Sequence, residues 1–154
     1  MKENLLIDKS IAFAARIVKL HQHLIKNKRE MVISKQIIRS GTSIGANINE
    51  ANYGQSKADF ISKMHIALKE TAETEYWIKL LHMTEYIDDK MSESLLADCL
   101  EIKRILIASI NTAKENIKCT KYSGGEVQNG QQLFSFICFF FSAYPWCCFC
   151  KRIN

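Results

Sequence analysis

Apolar side chains recur at helical spacing through most of the first 118 residues, and most regularly between residues 34 and 52. In that segment they are separated by intervals of four, three, four and three residues, at Ile37, Gly41, Ile44, Ile48 and Ala51. A stripe of this kind packs one helix against another at a shallow crossing angle. The stripe keeps its phase on both sides of Gly41, which predicts one unbroken helix. Small residues from position 40 to 46 would let a second backbone approach closely, offsetting a cost of about 1 kcal/mol for each glycine.

The same period predicts a helix before this segment. It begins at Asp8 or Ser10, either of which can cap it, and ends near Asn27. Its predicted buried positions are Ile11, Ala14, Ala15, Val18, His21 or Gln22, and Ile25.

Two more helices are predicted after the segment, one from Ser56 to about Ile87 and one from Ser92 to about Ile117. In each case the serine is the predicted N-cap. The predicted buried positions of the third helix are Phe60, Met64, Ala67, Leu68, Thr71, Ile78 and Leu81. Those of the fourth are Leu96, Cys99, Leu100, Lys103, Leu106, Ile110 and Ala113. Because the connections are short, the sequence predicts an all-α, antiparallel, up-down-up-down four-helix bundle over residues 1–118.

The formal net charge of +5 is mild, but its distribution is uneven. Residues 1–40 contain nine Lys or Arg and three Asp or Glu, a net of 9 − 3 = +6, whereas residues 41–118 contain nine and twelve, a net of 9 − 12 = −3. Such asymmetry favours a polyanionic partner, although a solvated, lysine-rich helix face gives the same pattern. The candidate contacts to nucleic-acid phosphates are Arg16, Lys19, Lys26, Lys28, Arg29, Lys35 and Arg39. Few aromatic residues are interleaved with them, which argues against reading of single-stranded bases.

The sequence contains other polar groups that could form a binding, metal or catalytic site. Asn47, Asn49 and Glu50 could form a polar site on the second helix. Alternatively, Asn47 and Ser43, four residues apart, belong to a hydrogen-bonded polar layer across the bundle. Glu70, Glu73 and Glu75 lack the Glu-x-x-His motif of carboxylate-bridged metal sites in bundles. The four histidines do not cluster in sequence, and no glycine-rich phosphate-binding loop is present. The sequence therefore predicts no catalytic, cofactor or metal site, and no enzyme.

Two motifs resemble the four-helix bundle proteins encoded in the intervening sequences of 23S rRNA genes. They are the run from Gln36 to Ile48 followed by Glu50-Ala51, and Phe60-Ile61, Lys63, Ile66 to Glu70 and Glu73 to Trp77. The similarity covers about residues 5–118. It implies a left-handed bundle that assembles into a ring-like homopentamer and, for most members, no established activity. A related branch, the accessory variability proteins of diversity-generating retroelements, binds nucleic acid and a reverse transcriptase.

The last 36 residues differ in composition from the rest (154 − 118). Residues 120–132 are polar and are predicted to be a disordered linker. Residues 133–150 carry no charge and contain six of the eight Phe and four of the six Cys. We expect an irregular hydrophobic tail. Two alternative interpretations are a membrane anchor and a non-native extension, such as one produced by a shifted reading frame. Members of the family normally finish soon after the fourth helix.

These observations predict a non-enzymatic, self-assembling bundle that binds RNA or DNA through its basic face. The alternative is a protein-interaction scaffold, for example an accessory subunit of a reverse transcriptase. Cys99 is the only cysteine before residue 118, and the N-terminus lacks an apolar signal segment. Both features favour a reduced, cytoplasmic protein, attached to a membrane only if the tail inserts.

Overall fold

The computed structural model describes residues 5–122, with side chains described for residues 5–116. This range contains four α-helices and no strand. The helices are α1 (Leu5–Lys28), α2 (Ile33–Ala51), α3 (Lys57–Met83) and α4 (Asp89–Tyr122). The predicted all-α fold is confirmed.

The four helices form a closed square in which each helix packs on two others. The contacting pairs are α1 with α2, α2 with α3, α3 with α4, and α1 with α4. Contacts between α1 and α4, and between α2 and α3, run in opposite sequence directions, as antiparallel neighbours require. Across α1 and α4, Lys9 meets Glu101 while Arg16 meets Ser94; across α2 and α3, Ser40 meets Thr74 while Glu50 meets Lys63. The up-down-up-down arrangement follows from these pairs and the short connections.

The predicted buried face of α1 is wrong. Ile11 and Ile25 are 61% and 37% exposed. The residues that face the core are Leu6, Ser10, Phe13, Ile17, Leu20 and Leu24. Both sets recur at helical spacing, because α1 has a second apolar flank beside its core-facing stripe. Only the positions of α2 and α4 decide which of the two is covered.

The buried positions predicted for α2 are all confirmed. In α3 the prediction missed Thr74, whose hydroxyl donates to the Ser40 hydroxyl at 2.9 Å inside the α2–α3 contact. In α4 it missed Leu95 and Ile102, which are 2% and 1% exposed, and it included Leu100, which is 38% exposed.

The α1–α2 contact depends on the two glycines of α2. A Cβ atom built on Gly41 would lie 2.8 Å from Cγ2 of Ile17, and one on Gly45 would lie 3.2 Å from Oγ of Ser10. Both glycines lie inside a continuous helix, as predicted. The small residues therefore allow the close backbone approach that the sequence suggested.

Several helix ends differ from the predictions. Ser56 caps α3 as expected, accepting from the Asp59 amide at 3.1 Å. At its other end α3 stops at Met83, because Glu85 adopts a φ of 60° and the Tyr86 amide donates back to the Leu81 carbonyl at 2.9 Å. This is a Schellman-type ending in which a residue other than glycine takes the left-handed conformation.

The start predicted for α4 is also wrong. The Asp88 carboxylate accepts from the Met91 amide at 2.7 Å, so Asp88 is the cap. Ser92, the predicted cap, is buried inside the helix at 3% exposure. α4 continues to Tyr122, five residues beyond the predicted end at 117. Residues 120–122, which are part of the predicted linker, therefore belong to α4. The rest of the predicted linker, residues 123–132, and the tail at 133–150, with the predictions made for them, lie outside the described residues.

None of the helices in the described range is both long enough and apolar enough to cross a membrane.

Candidate functional site

The seven predicted phosphate contacts separate into two groups in the structure. Two of the seven, Arg16 and Arg39, form ion pairs within the bundle. The Arg16 guanidinium pairs with the Asp98 carboxylate and donates to the Ser94 hydroxyl at 2.8 Å and to the Ser94 carbonyl at 3.2 Å. Arg16 therefore ties α1 to α4, and binding a phosphate would require it to leave these partners.

Arg39 is the second engaged residue. Its guanidinium lies 3.5 Å from the Glu73 carboxylate, which also accepts from the Trp77 indole nitrogen at 3.1 Å. The Arg39 side chain remains 69% exposed, so this long ion pair contributes little stability. Nearby, partial burial and the charge of Glu73 raise the pKa of Glu70, while Arg39 opposes that shift.

The other five basic residues are exposed. None of their side chains has a hydrogen bond or ion pair with another described residue. Four of them, Lys26, Lys28, Arg29 and Lys35, lie within the last turn of α1, the connection and the first turn of α2. We call these four the end cluster. They meet at one end of the bundle because the connection between α1 and α2 spans only residues 29–32.

Lys19 lies seven residues before Lys26, which is two helical turns or about 10 Å along the same face of α1. It therefore extends the end cluster down the side of the bundle. Lys26 and Lys28 also lie where the α1 dipole favours positive charge.

Glu30 lies inside the end cluster and was missed by the sequence reasoning. It is only 8% exposed. Its carboxylate accepts from the amides of Val32, Ile33 and Ser34 at 2.8, 2.8 and 2.7 Å. It thus occupies the α2 N-terminus, where an anion would otherwise bind. Any phosphate at this end must be held by side chains.

The opposite half of the same end is acidic. Glu85, Asp88 and Asp89 belong to the α3–α4 connection and the start of α4. Between the two halves lies an open cleft of about 490 Å³, lined by His23, Lys28, His82, Glu85, Tyr86, Ile87, Asp88, Asp89 and Met91. On the acidic side of the cleft, Nε2 of His82 lies 2.6 Å from the Asp89 carboxylate. The end of the bundle is therefore divided into a basic half and an acidic half.

The other polar groups considered from the sequence are accounted for by the fold. The Asn47 amide donates to the Ser43 carbonyl of its own helix at 2.8 Å, so this hydrogen bond does not cross the bundle. Glu75 accepts from Lys103 at 2.8 Å and Lys79 at 2.5 Å, and these hydrogen bonds lower its pKa. Glu75 therefore serves as a link between α3 and α4.

Among the described residues, the buried Cys99 is not suited to act as a nucleophile. Burial raises the pKa of the Cys99 thiol to about 12, and its sulfur lies 3.5 Å from the Thr71 carbonyl oxygen. No hydrogen bond of residues 5–116 joins a histidine to a Ser, Thr or Cys side chain. Within the same range, no three metal-ligating side chains are close enough to share an ion.

Comparison with known proteins agrees with this fold. The family model described as 23S rRNA-intervening sequence protein matches residues 2–108. The chain belongs to this family. A crystal structure of a protein of unknown function from the S23 ribosomal protein family of Bacteroides thetaiotaomicron is 56% identical, with a TM-score of 0.69. That match covers 69% of this chain and 98% of the Bacteroides chain. No curated protein matches the chain.

Membership of the 23S rRNA-intervening sequence proteins accounts for the fold. The solved relative has no known function, so a role for this family member must be argued from its own residues.

Proposed function

We propose that this protein is a non-enzymatic bundle that self-assembles and binds the phosphate backbone of RNA or DNA through the end cluster, with Lys19 as an additional contact. The observation that supports this is the separation of charges. Arg16 and Arg39 on the sides of the bundle have carboxylate partners, whereas the four cations of the end cluster have none among the described residues. Glu30, the carboxylate among them, is bound to three amides of α2 and pairs with none of these cations, so the cluster keeps its attraction for a polyanion.

This mode of binding predicts little sequence specificity. Lys and Arg side chains neutralise phosphates and release counterions, so affinity falls as salt rises. Four neutralised phosphates per subunit correspond to a loss of about 100-fold for duplex DNA between about 50 and 200 mM salt. No aromatic side chain lies in the connection between α1 and α2, so stacking on bases is not part of the proposal.

The test is fluorescence anisotropy of the full-length protein with a labelled RNA and a labelled DNA duplex of unrelated sequence across a salt series. The variant replaces all four residues of the end cluster with Ala. A matched control replaces four exposed cations elsewhere, Lys57, Lys69, Arg104 and Lys114, and so changes the net charge equally. We expect the first variant to lose affinity and salt dependence and the control to keep most of both. Equal losses in the two would reduce the effect to net charge and contradict the proposal.

Self-assembly is supported by two separate exposed apolar stripes. On α1 the stripe includes Ile11 and Ile25, and on α4 it includes Leu100 and Ile107, which are 38% and 42% exposed. The polar contacts between α1 and α4, such as Lys9 with Glu101, lie between the two stripes. Two different patches on one subunit favour head-to-tail contacts, and such contacts close into a ring when the rotation allows. A ring-like homopentamer is the assembly that the family resemblance suggested.

A mixing experiment tests this assembly. In a head-to-tail ring, Ile11→Glu and Ile107→Glu each leave one intact stripe, so each variant alone should be monomeric by light scattering. Mixed together, they should form dimers and nothing larger, because the intact α4 stripe of one meets the intact α1 stripe of the other. A variant that assembles fully alone would contradict the head-to-tail arrangement.

The alternative function, an accessory subunit for another protein such as a reverse transcriptase, is favoured by the outer side of α3. Tyr76 and Met83 are 57% and 80% exposed there. If the affinity for generic RNA is absent, or does not change with salt, this alternative replaces phosphate binding.

A further inference from the structure

The connection between α1 and α2 exposes two apolar side chains in the middle of the end cluster. Met31 is 54% exposed and Val32 is 74% exposed. Along the chain they are flanked by Arg29 on one side and by Lys35 on the other. Neither contributes to the core. An exposed apolar pair that lies outside the core, with a cation on each side of it along the chain, is a candidate contact surface.

The backbone that carries this pair is held in place from both sides. Arg29 adopts a φ of 53°, a conformation that costs a residue other than glycine about 1 kcal/mol. The Glu30 amide donates to the Leu24 carbonyl at 3.0 Å, while the Glu30 carboxylate accepts three amides, including that of Val32. The connection therefore presents Met31 and Val32 outward in a fixed geometry.

We infer that Met31 and Val32 form an apolar contact with the sugars or base edges of a nucleic acid whose phosphates are held by the end cluster. This inference rests on the proposed function and adds a second component to it. The cations supply attraction that weakens with salt, whereas burial of the apolar pair supplies affinity that does not depend on salt. Apolar side chains contact the thymine methyl group at a base edge, and methionine is among the apolar side chains that minor-groove proteins place against bases.

The division of charge at this end favours a nucleic acid over an anionic membrane. A membrane is a broad plane and would meet both halves of the end, including Glu85, Asp88 and Asp89. A nucleic acid is a rod or a strand and makes its contact along a line, so it can follow the α1–α2 half alone and avoid those carboxylates. The polyanion that fits is therefore a nucleic acid and not a membrane surface.

The test plots the logarithm of the binding constant against the logarithm of the salt concentration. The slope of this plot reports the phosphate contacts, and a uniform shift of the whole line reports the apolar contact. Full-length protein carrying Met31→Ser and Val32→Ser is compared with wild type on the same labelled RNA and DNA duplex. We expect affinity to fall by about three- to tenfold at every salt concentration, the loss expected if each side chain is partly buried on binding. The slope should remain that of wild type. Circular dichroism should be unchanged, because both side chains are exposed.

A matched control replaces Tyr53, which is 81% exposed at the opposite end of the bundle, with Ser and should leave affinity unchanged. Unaltered affinity of the Met31/Val32 variant, with normal salt dependence, would overturn the apolar contact and leave phosphate binding standing. If wild type binds neither RNA nor DNA, the proposed function fails and this inference fails with it. The last measurement is binding of the same proteins to lipid vesicles with and without anionic lipid. Loss of vesicle binding in the Met31/Val32 variant, without loss of nucleic-acid binding, would assign the pair to a membrane and overturn the inference.

Discussion

The substitution Gly41→Ala tests the contact on which the bundle geometry depends. The new Cβ would lie 2.8 and 2.9 Å from Cγ2 and Cγ1 of Ile17 and 3.2 Å from its Cβ. Ile17 is completely buried. Rotation about χ1 cannot clear the contact, because one of the three atoms is the Cβ of Ile17 itself. The helices α1 and α2 would have to move apart.

The expected magnitude follows from two opposing effects. Overpacking a core costs about 1–3 kcal/mol, and this site belongs in the upper half of that range because all three neighbouring atoms are crowded. Replacing a glycine inside a helix with alanine returns about 1 kcal/mol. The free energy of unfolding should therefore fall by about 1–2 kcal/mol.

Gly45→Ala is the matched control, one helical turn away in α2. Its Cβ would lie 3.2 Å from Oγ and 3.5 Å from Cβ of Ser10, which is a smaller neighbour than Ile17. The hydroxyl can shift by a few tenths of an ångström, so the helix-propensity gain should dominate. We expect a change within about 0.5 kcal/mol of zero or a modest stabilisation.

The assay is urea unfolding followed by circular dichroism, at one protein concentration because self-assembly adds to the apparent stability. Ile17→Ala should also cost less in the Gly41→Ala background than in wild type, by about 1–2 kcal/mol, since the crowding is then relieved. If Gly41→Ala proves as stable as Gly45→Ala, or if the two changes at 17 and 41 are additive, the close approach of α1 and α2 does not constrain the fold.

Three further predictions concern buried or paired side chains. Glu30→Ala should lower the free energy of unfolding by about 2–3 kcal/mol, because it leaves three amides of α2 without their charged acceptor. Glu30→Gln should lower it by less, and urea unfolding measures both. Hydrogen bonds from Lys103 and Lys79 lower the folded-state pKa of Glu75 below 4.5. The stability that these bonds contribute is therefore complete above that pH and is lost as the pH falls through the folded pKa. Glu75→Gln should reduce the dependence of the free energy of unfolding on pH between about pH 6 and 3. Cys99 should resist alkylation at neutral pH until the protein is unfolded, as judged by mass spectrometry of its peptide, because burial raises its thiol pKa to about 12.

The comparison of α1 with α2 explains how much of the fold the sequence could predict. The stripe of α2 is the only apolar face of that helix, so its phase identified the core side correctly. In α1 two apolar flanks overlap, one with Phe13 and Ile17 and one with Ile11 and Ile25. Periodicity cannot choose between them, because the choice depends on where other helices pack.

The candidate site was predictable in composition and not in detail. A count of charges located the basic excess in residues 1–40. It could not reveal that Arg16 pairs with Asp98, 82 residues away, or that Arg39 reaches Glu73. Glu30 is part of a charged connection in the sequence, and its role as the acceptor of the first amides of α2 depends on a turn geometry that includes a positive φ at Arg29. Contacts that are distant in sequence or depend on backbone conformation leave no periodic signal.

Two residues with the same backbone conformation and opposite charges allow the charge argument to be tested apart from stability. Arg29, with a φ of 53°, belongs to the basic half of the bundle end, and Glu85, with a φ of 60°, belongs to the acidic half. Glycine takes this conformation without strain, so Arg29→Gly and Glu85→Gly should each raise the free energy of unfolding, by about 0.5–1 kcal/mol after the entropy cost of glycine.

Their effects on nucleic-acid affinity should be opposite. Arg29→Gly removes a cation from the end cluster and should weaken binding and reduce the salt slope by about 1. Glu85→Gly removes a carboxylate from the neighbouring half and should strengthen binding at low salt, with less effect at high salt because the charge is then screened. Urea unfolding and anisotropy on the same two variants measure both quantities. Affinity changes of the same sign would mean that the charge division at this end does not direct the polyanion, since the change in backbone strain is common to both variants.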